Sequence, residues 1–252
     1  MDNSRISKEH VDIDDVSIKN FYAKRAREKV DVNIDAPVVL CSDNETEKIS
    51  VWNEYEERKW LPKLKIDSNS RIFELGFGTG RVTKYLLCDA EVYVGIDYVK
   101  EFVNIARNRK DIPQNEKYLF LHDSFRECMN NISSLPYKGT FNRFVDAGGV
   151  LMYMNDDDVR FCIEHLVEIL DEKCVLYFSE PIGRTERFTL NKYYSKEVGD
   201  EYSAIYRTVD EYIDIFTPLL NAGFHFVVNQ EFFDDDIKGR KETVQWLFVL
   251  EK

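Results

Sequence analysis

The sequence is poor in the residues that build metal and disulfide sites. Four histidines are spread along 252 residues without clustering, so no zinc site is expected. Five cysteines (Cys41, Cys88, Cys128, Cys162 and Cys174) form no C-x-x-C pair, and the odd count argues against a disulfide framework. Cys88, Cys162 and Cys174 sit in apolar patterns and are expected as buried thiols. No apolar run reaches the roughly 18 residues that suggest a membrane span. Basic charge is also in deficit. A formal net charge of −12 opposes a broad surface for DNA or structured RNA. The opening "MDNSRISKEHVDIDD" lacks the apolar centre of a secretory signal and the Arg-rich look of a transit peptide, so a cytoplasmic setting is expected. There is no internal repeat and no low-complexity block.

What is present suits a core-forming α/β chain, with 44% hydrophobic and 13% aromatic residues. "SIKNFYAKRAREKV" and "EKISVWNEYEERKWLPKL" space their apolar residues at helical period, which predicts a helical extension over residues 1–69. Asp35–Pro37 and "CSDNET" break the two segments. From Ser70 onward strands and helices alternate. Strands are expected at Arg71–Leu75, Glu91–Ile96, Tyr118–His122, Phe141–Ala147, Val175–Glu180, Phe224–Phe232 and Val244–Glu251. Helices are expected at Arg81–Leu87, Val99–Asn108, Asp156–Leu170 and Val209–Asn221, the last opened by a Thr208–Glu211 capping box. The alternation predicts a mainly parallel sheet. "DDDIKGRKE" reads as a hairpin loop, so the last strand should run antiparallel.

"ELGFGTGRVTKYLL" places Gly76, Gly78 and Gly80 between an apolar strand and a helix start. Such a turn lets ligand atoms approach bare backbone at a helix N-terminus. A dinucleotide fingerprint needs glycine at position 81, where this chain has Arg81, and no Gly-Lys-Ser/Thr follows to make a P-loop. The second strand ends at Asp97, about twenty residues on, where an acid accepts ribose hydroxyls. The third ends in "LFLHDSF", with Asp123 at its tip or as a helix N-cap, and the fourth in "FVDAGGVLMYM".

This set resembles the class I S-adenosylmethionine-dependent methyltransferases over about Ser70 to Lys252. "ELGFGTG", "GIDYV", "LHDSF" and "DAGGVLMYM" look like the family's first four motifs. The resemblance implies a Rossmann-like α/β fold: seven mostly parallel strands with an antiparallel last strand, and helices on both faces. It implies S-adenosylmethionine as cofactor. By resemblance Glu74, Gly76, Gly78, Thr79 and Gly80 flank its methionine part and ribose, and Asp97 with Tyr98 takes the ribose diol. Asp123, Ser124 and Phe125 border the adenine, and Ala147 and Gly148 line the sulfonium. Phe77 departs from the small or polar residue usual there. The domain spans residues 70–252, with an acceptor-side insertion at about 181–207.

Acceptor residues should come from strand tips and added segments. Glu180, Tyr153 and His122 are candidate catalytic groups, with a core position the alternative for His122. Tyr153, Tyr193, Tyr194, Tyr206 and Arg207 are candidate acceptor contacts. Tyr22 and Arg25 are candidates for the cofactor carboxylate, since Arg matches a carboxylate fork. The resemblance favours a small-molecule acceptor, foremost O-methylation of a sugar or sugar-nucleotide. An amine or protein N-terminus is the alternative, because "GVLMYMNDDDVRFCIEHL" is similar to the alpha-N-terminal protein methyltransferases. A non-catalytic partner subunit is a further alternative, although such a subunit should have lost the acids and glycines kept here.

Overall fold

The computed structural model describes residues 6–7, 9–40, 47–196, 198–234 and 241–252. Cys41, the "CSDNET" break and most of the "DDDIKGRKE" loop lie outside them. A two-residue strand β1 (Ile6–Ser7) precedes helix α1 (Asp15–Lys29), whose start is capped by the Asp14 side chain accepting from the Val16 N–H. Helix α2 (Glu47–Tyr55) continues into a wide π turn (Glu56–Trp60) and a tight 3-10 turn (Leu61–Leu64). The alternating region follows as β2 (Arg71–Leu75), α3 (Thr83–Leu86), β3 (Val92–Asp97), α4 (Lys100–Arg107), β4 (Tyr118–His122), α5 (Phe125–Asn130), β5 (Phe141–Asp146), α6 (Asp156–Leu166) and β6 (Leu170–Gly183). A hairpin of β7 (Phe188–Ser195) and β8 (Asp200–Tyr206) leads to α7 (Val209–Ile215), α8 (Thr217–Asn221), β9 (His225–Glu231) and β10 (Thr243–Glu251).

The main sheet has seven strands in the order β4-β3-β2-β5-β6-β10-β9. The pairs from β4 through β6 are parallel, and β10 runs antiparallel to both β6 and β9. The chain therefore moves outward from β2 to β3 and β4, then returns to β5 on the other side of β2. That reversal opens a crevice at the strand C-termini beside the glycine turn. Separate apolar cores cover the two faces of the sheet. One contains Phe73, Phe144 and Phe178; the other contains Ile72, Tyr93 and Tyr177. Burial on both faces explains why β3 reads as an unbroken apolar run.

Several expected boundaries move for identifiable reasons. Strand β6 extends to Gly183 because β10 pairs with it from Val175 to Gly183. The helix expected at Val209–Asn221 breaks at Phe216, since Pro218 has no N–H to continue the ladder and instead sits in the first turn of α8. Cys88 is exposed, whereas Cys128, Cys162 and Cys174 are buried free thiols. The insertion is a strand pair, with β1 added to β7 to make a small sheet in the order β1-β7-β8.

The N-terminal elements are fastened to the sheet by two buried ion pairs. Arg109 Nη1 donates to Asp35 Oδ1 at 2.5 Å, and Thr79 Oγ1 donates to the same oxygen at 3.1 Å. Arg81 Nη1 donates to Glu56 Oε2 at 2.6 Å, while Tyr177 OH donates to Glu56 Oε1 at 2.8 Å. The π turn is what directs Glu56 inward, and one widened turn is enough to aim a side chain at a site. Arg109→Met strips the counter-charge from Asp35 and is expected to cost about 3–5 kcal/mol. The double variant Arg109→Met/Asp35→Asn should recover part of that loss. Urea unfolding midpoints at constant slope check both, and equal losses in the single and double variants would contradict the pairing.

Candidate active site

The glycine turn leaves β2 at the crevice. Gly76 and Gly78 have φ of 63° and 56°, the left-handed region that disfavours side chains. Crowding adds a second constraint: a Cβ on Gly78 would lie 2.6 Å from Val38 Cγ1, and one on Gly76 2.2 Å from Val150 Cγ2. Opposite the turn, Asp97 closes β3. Its Oδ2 accepts from Gly78 N at 2.9 Å and its Oδ1 from Val99 N at 2.8 Å. A carboxylate offers about four acceptor sites, so each oxygen keeps one for a further donor. At the tip of β4, Asp123 Oδ1 accepts from Ser124 N at 2.9 Å. Ser124, not Asp123, caps α5 by accepting from Glu127 N at 3.1 Å. Asp123 is thereby relieved of the capping role its position suggested.

These groups border one cavity of about 1370 Å³. Glu74, Gly76, Gly78, Asp97, Tyr98, Asp123, Ser124, Phe125, Ala147 and Gly148 all line it, as do Tyr22, Tyr153, Tyr193, Tyr194 and Tyr206. The far wall comes from the β7–β8 hairpin and the turn after β5. There Tyr206 stacks on Phe188 at 4.7 Å between centroids, and the Tyr202 and Tyr206 hydroxyls share a hydrogen bond at 2.7 Å. Tyr22 meets Tyr153 edge-on at 5.3 Å, so α1 touches the same wall.

Other expected residues lie elsewhere. Glu180 is fully buried at the tip of β6 and accepts from Leu151 N, Met152 N and Tyr212 OH, so it is a brace beneath the cavity wall and not an exposed base. His122 is exposed, outside the cavity lining and outside the core, with its ring Nε2 against the Tyr98 carbonyl at 3.1 Å. Arg25 is buried and donates to the carbonyls of Ala36 and Pro37. Arg207 is buried against Asp156 and the carbonyls of Leu151 and Met154. Thr79 turns away to Asp35, and Gly80 serves the turn without lining the cavity. Trp52 reaches the cavity, whereas Trp60 is buried with its indole N–H on the Phe232 carbonyl. The main residue missed from sequence is Arg81, which lines the cavity beside Gly78 while donating to Glu56 and to the Ala147 carbonyl. Its signal was the cation standing where a dinucleotide site needs glycine.

Burial dominates the electrostatics. It raises the Glu74 carboxyl to about 7 despite hydrogen bonds from Tyr93 and Thr83, and the Asp97 carboxyl to about 6 despite its two backbone donors. Burial also raises the phenols of Tyr22 and Tyr153, which keeps them neutral. A carboxyl raised by folding stabilises the fold most below its unfolded value, and that contribution is lost as pH rises through the folded value. Wild-type stability should therefore lose a component between about pH 4 and about pH 7. Glu74→Gln keeps an oxygen for Thr83 and Tyr93 and should flatten that slope. Urea unfolding across this range checks it, and an unchanged slope would show Glu74 ionised in the fold.

Residues 73–178 match a family model described as a methyltransferase domain. No curated protein matches the chain in sequence. Among solved structures, a Leishmania major SAM-dependent methyltransferase aligns over 92% of this chain and 82% of its own, at TM-score 0.59 and 16% identity. Burkholderia thailandensis 1,6-didemethyltoxoflavin-N1-methyltransferase, solved with 1,6-didemethyltoxoflavin and S-adenosylhomocysteine, aligns over 96% of this chain and 93% of its own, at TM-score 0.54 and 15% identity. The [4+2]-cyclase SpnF aligns over 82% of each chain at TM-score 0.52 and 16% identity. At such identities the likeness is one of fold, and the cyclase shows that this fold hosts other chemistry. It is the domain match over residues 73–178, seated on that fold, that identifies a methyltransferase domain in this chain.

Proposed function

We propose that the enzyme methylates a hydroxyl of a small acceptor built on a ring, a sugar, sugar-nucleotide or related metabolite. One observation carries the reading. The cavity of about 1370 Å³ exceeds the roughly 300–1,000 Å³ typical of a one-ligand pocket, and its two ends differ in chemistry. The glycine turn, Asp97 and Asp123 form one end, and tyrosine faces form the other. A tyrosine offers an apolar face and a hydroxyl tip, the two surfaces that a hydroxylated ring needs.

At the first end the residues fit S-adenosylmethionine. The open acceptor sites on Asp97 suit a ribose diol, and Asp123 with Ser124 and Phe125 suits the adenine edge. Arg81 replaces Arg25 as the cation for the cofactor carboxylate, because it lines the cavity beside the turn. Ala147 and Gly148 then border the reacting centre. When bound, the cofactor supplies an electrophilic methyl on a sulfonium. The chain's own part is alignment and exclusion of water, a contribution of about 7–11 kcal/mol at best. Neutral Tyr153 acts as a hydrogen-bonding partner to the acceptor and not as a base. Residues 1–69 serve as a cover and 181–207 as the acceptor wall of a domain spanning 70–252. The unpaired thiols among the described residues suit a cytoplasmic setting, and the net charge of −12 disfavours nucleic acid. None of the helices among the described residues is long and apolar enough to cross a membrane.

An amine acceptor is the second reading. The same tyrosine wall would attract a cation through its ring faces. Product mass analysis over panels of sugars and amines separates the two, together with the pH dependence of the rate.

Asp97→Ala removes both diol acceptors. Hydrogen bonds to a charged group contribute about 1.5–3 kcal/mol each, so S-adenosylhomocysteine should bind at least about tenfold more weakly. Asp97→Asn should fall between. Calorimetry on folded protein decides, and parental affinity in Asp97→Ala would remove the ribose from this position. Replacing Tyr193 and Tyr194 by alanine should raise the acceptor KM and leave cofactor affinity unchanged. Loss of cofactor binding with normal acceptor kinetics would overturn the assignment of the hairpin.

A further inference from the structure

Two acids lie on the paired strands β5 and β6, beneath the turn after β5 that lines the cavity. Asp146 ends β5 and Glu180 lies near the end of β6, both with no exposed surface. Glu180 Oε1 accepts from Leu151 N at 2.9 Å, and Oε2 from Met152 N at 3.2 Å and Tyr212 OH at 3.0 Å. Asp146 Oδ1 accepts from Val150 N at 3.3 Å, whereas its Oδ2 is buried with no donor. Two adjacent buried carboxylates with one oxygen unpaired are unstable as a doubly charged pair, and a single proton between them removes both defects. We propose that Asp146 and Glu180 share one proton and together latch the turn at residues 147–153, so that losing the proton loosens the wall carrying Val150, Met152 and Tyr153.

The surroundings support one shared proton. From β5 the group facing Glu180 is Asp146, from the turn it is backbone N–H, and from α7 it is Tyr212. On β10 its register partner is the uncharged Trp246. Arg207 lies 6.0 Å from the Tyr212 ring centroid and is held by Asp156. Tyr177 shares the opposite face of the sheet with Val145 and donates to Glu56. Burial and the neighbouring acid raise Glu180 well above the ordinary carboxyl range, and burial raises Asp146 to about 6. The turn they hold is also the one that packs Val150 on Gly76, so the latch reaches the cofactor end.

The latch makes Glu180 and Asp146 positioning residues, acting through the turn. Asp146→Asn is the discriminating variant. Its amide N–H replaces the shared proton, the remaining oxygen still accepts from Val150, and ionised Glu180 keeps all three of its donors. Amide exchange at Leu151 and Met152, corrected for intrinsic rates and read with S-adenosylhomocysteine bound, should lose at least about tenfold protection in the wild type between about pH 6 and about pH 9. Asp146→Asn should keep its protection across that range. The infrared carbonyl band of protonated carboxylic acids, present in wild type at neutral pH, should lose one component in Asp146→Asn. A flat wild-type profile overturns the proposal on its own, even if the variant does not fold. An Asp146→Asn protein that loses protection as the wild type does also overturns it.

Discussion

The glycine turn stays in place because one carboxylate holds it. Asp97 takes a backbone N–H from Gly78 on one oxygen and from Val99 on the other, which ties the turn after β2 to the turn after β3. The first of these turns borders the topological reversal between β2 and β5, where the sheet opens its crevice. Burial makes the tie costly, and the raised carboxyl records that cost. Asp97 lines the cavity, and each of its oxygens has one backbone donor and keeps an unused acceptor site. A carboxylate that was only structural would be expected to have its acceptor sites satisfied within the protein.

Around that tie the chain adds a second layer, from the N-terminal side. Asp35 gathers Arg109 and Thr79, and Glu56 gathers Arg81 and Tyr177. Residues 30–40 are thus pressed onto the glycine turn closely enough for Val38 to occupy the space a Gly78 side chain would need. Buried ion pairs are a poor source of net stability, but they penalise alternative arrangements, because either partner left alone is expensive. Here the arrangement they select packs Val38 against the glycine turn and keeps Arg81 at the cavity edge.

How much of this was legible depends on whether the signal lay along the chain or across it. The strand ladder was legible because burial on both faces writes unbroken apolar runs, and β2 and β4 fall where those runs end. The position of Asp97 at the crevice was legible because it follows from its place at the end of one strand. Asp35 was not: it meets Thr79 and Arg109 across 44 and 74 positions, and its own neighbourhood reads as a break. The β7–β8 hairpin was legible only as excess length. Its tyrosines point into a cavity, so its apolar residues sit where a solvent-facing strand would carry polar ones, and the alternation is blurred. The extension of β6 to Gly183 was set by its partner β10, which no local pattern reveals.

Glu180 shows where reading along the chain fails for chemistry as well as for fold. An acid at a strand tip beside a glycine-rich turn has the position of a general base. What separates a base from a brace is the number of donors already pointing at it. Those donors come from Leu151 and Met152, about thirty residues earlier, and from Tyr212, about thirty residues later. A base must have a lone pair free for the substrate within hydrogen-bond reach. Glu180 has three donors, a neighbouring acid and no exposed surface, so its proton chemistry is directed at the turn that forms the wall. The cavity wall on that side is lined by Tyr22 and Tyr153, whose phenols burial keeps neutral. That suits methyl transfer, in which the leaving group is already good and the protein's main task is to hold two molecules in line.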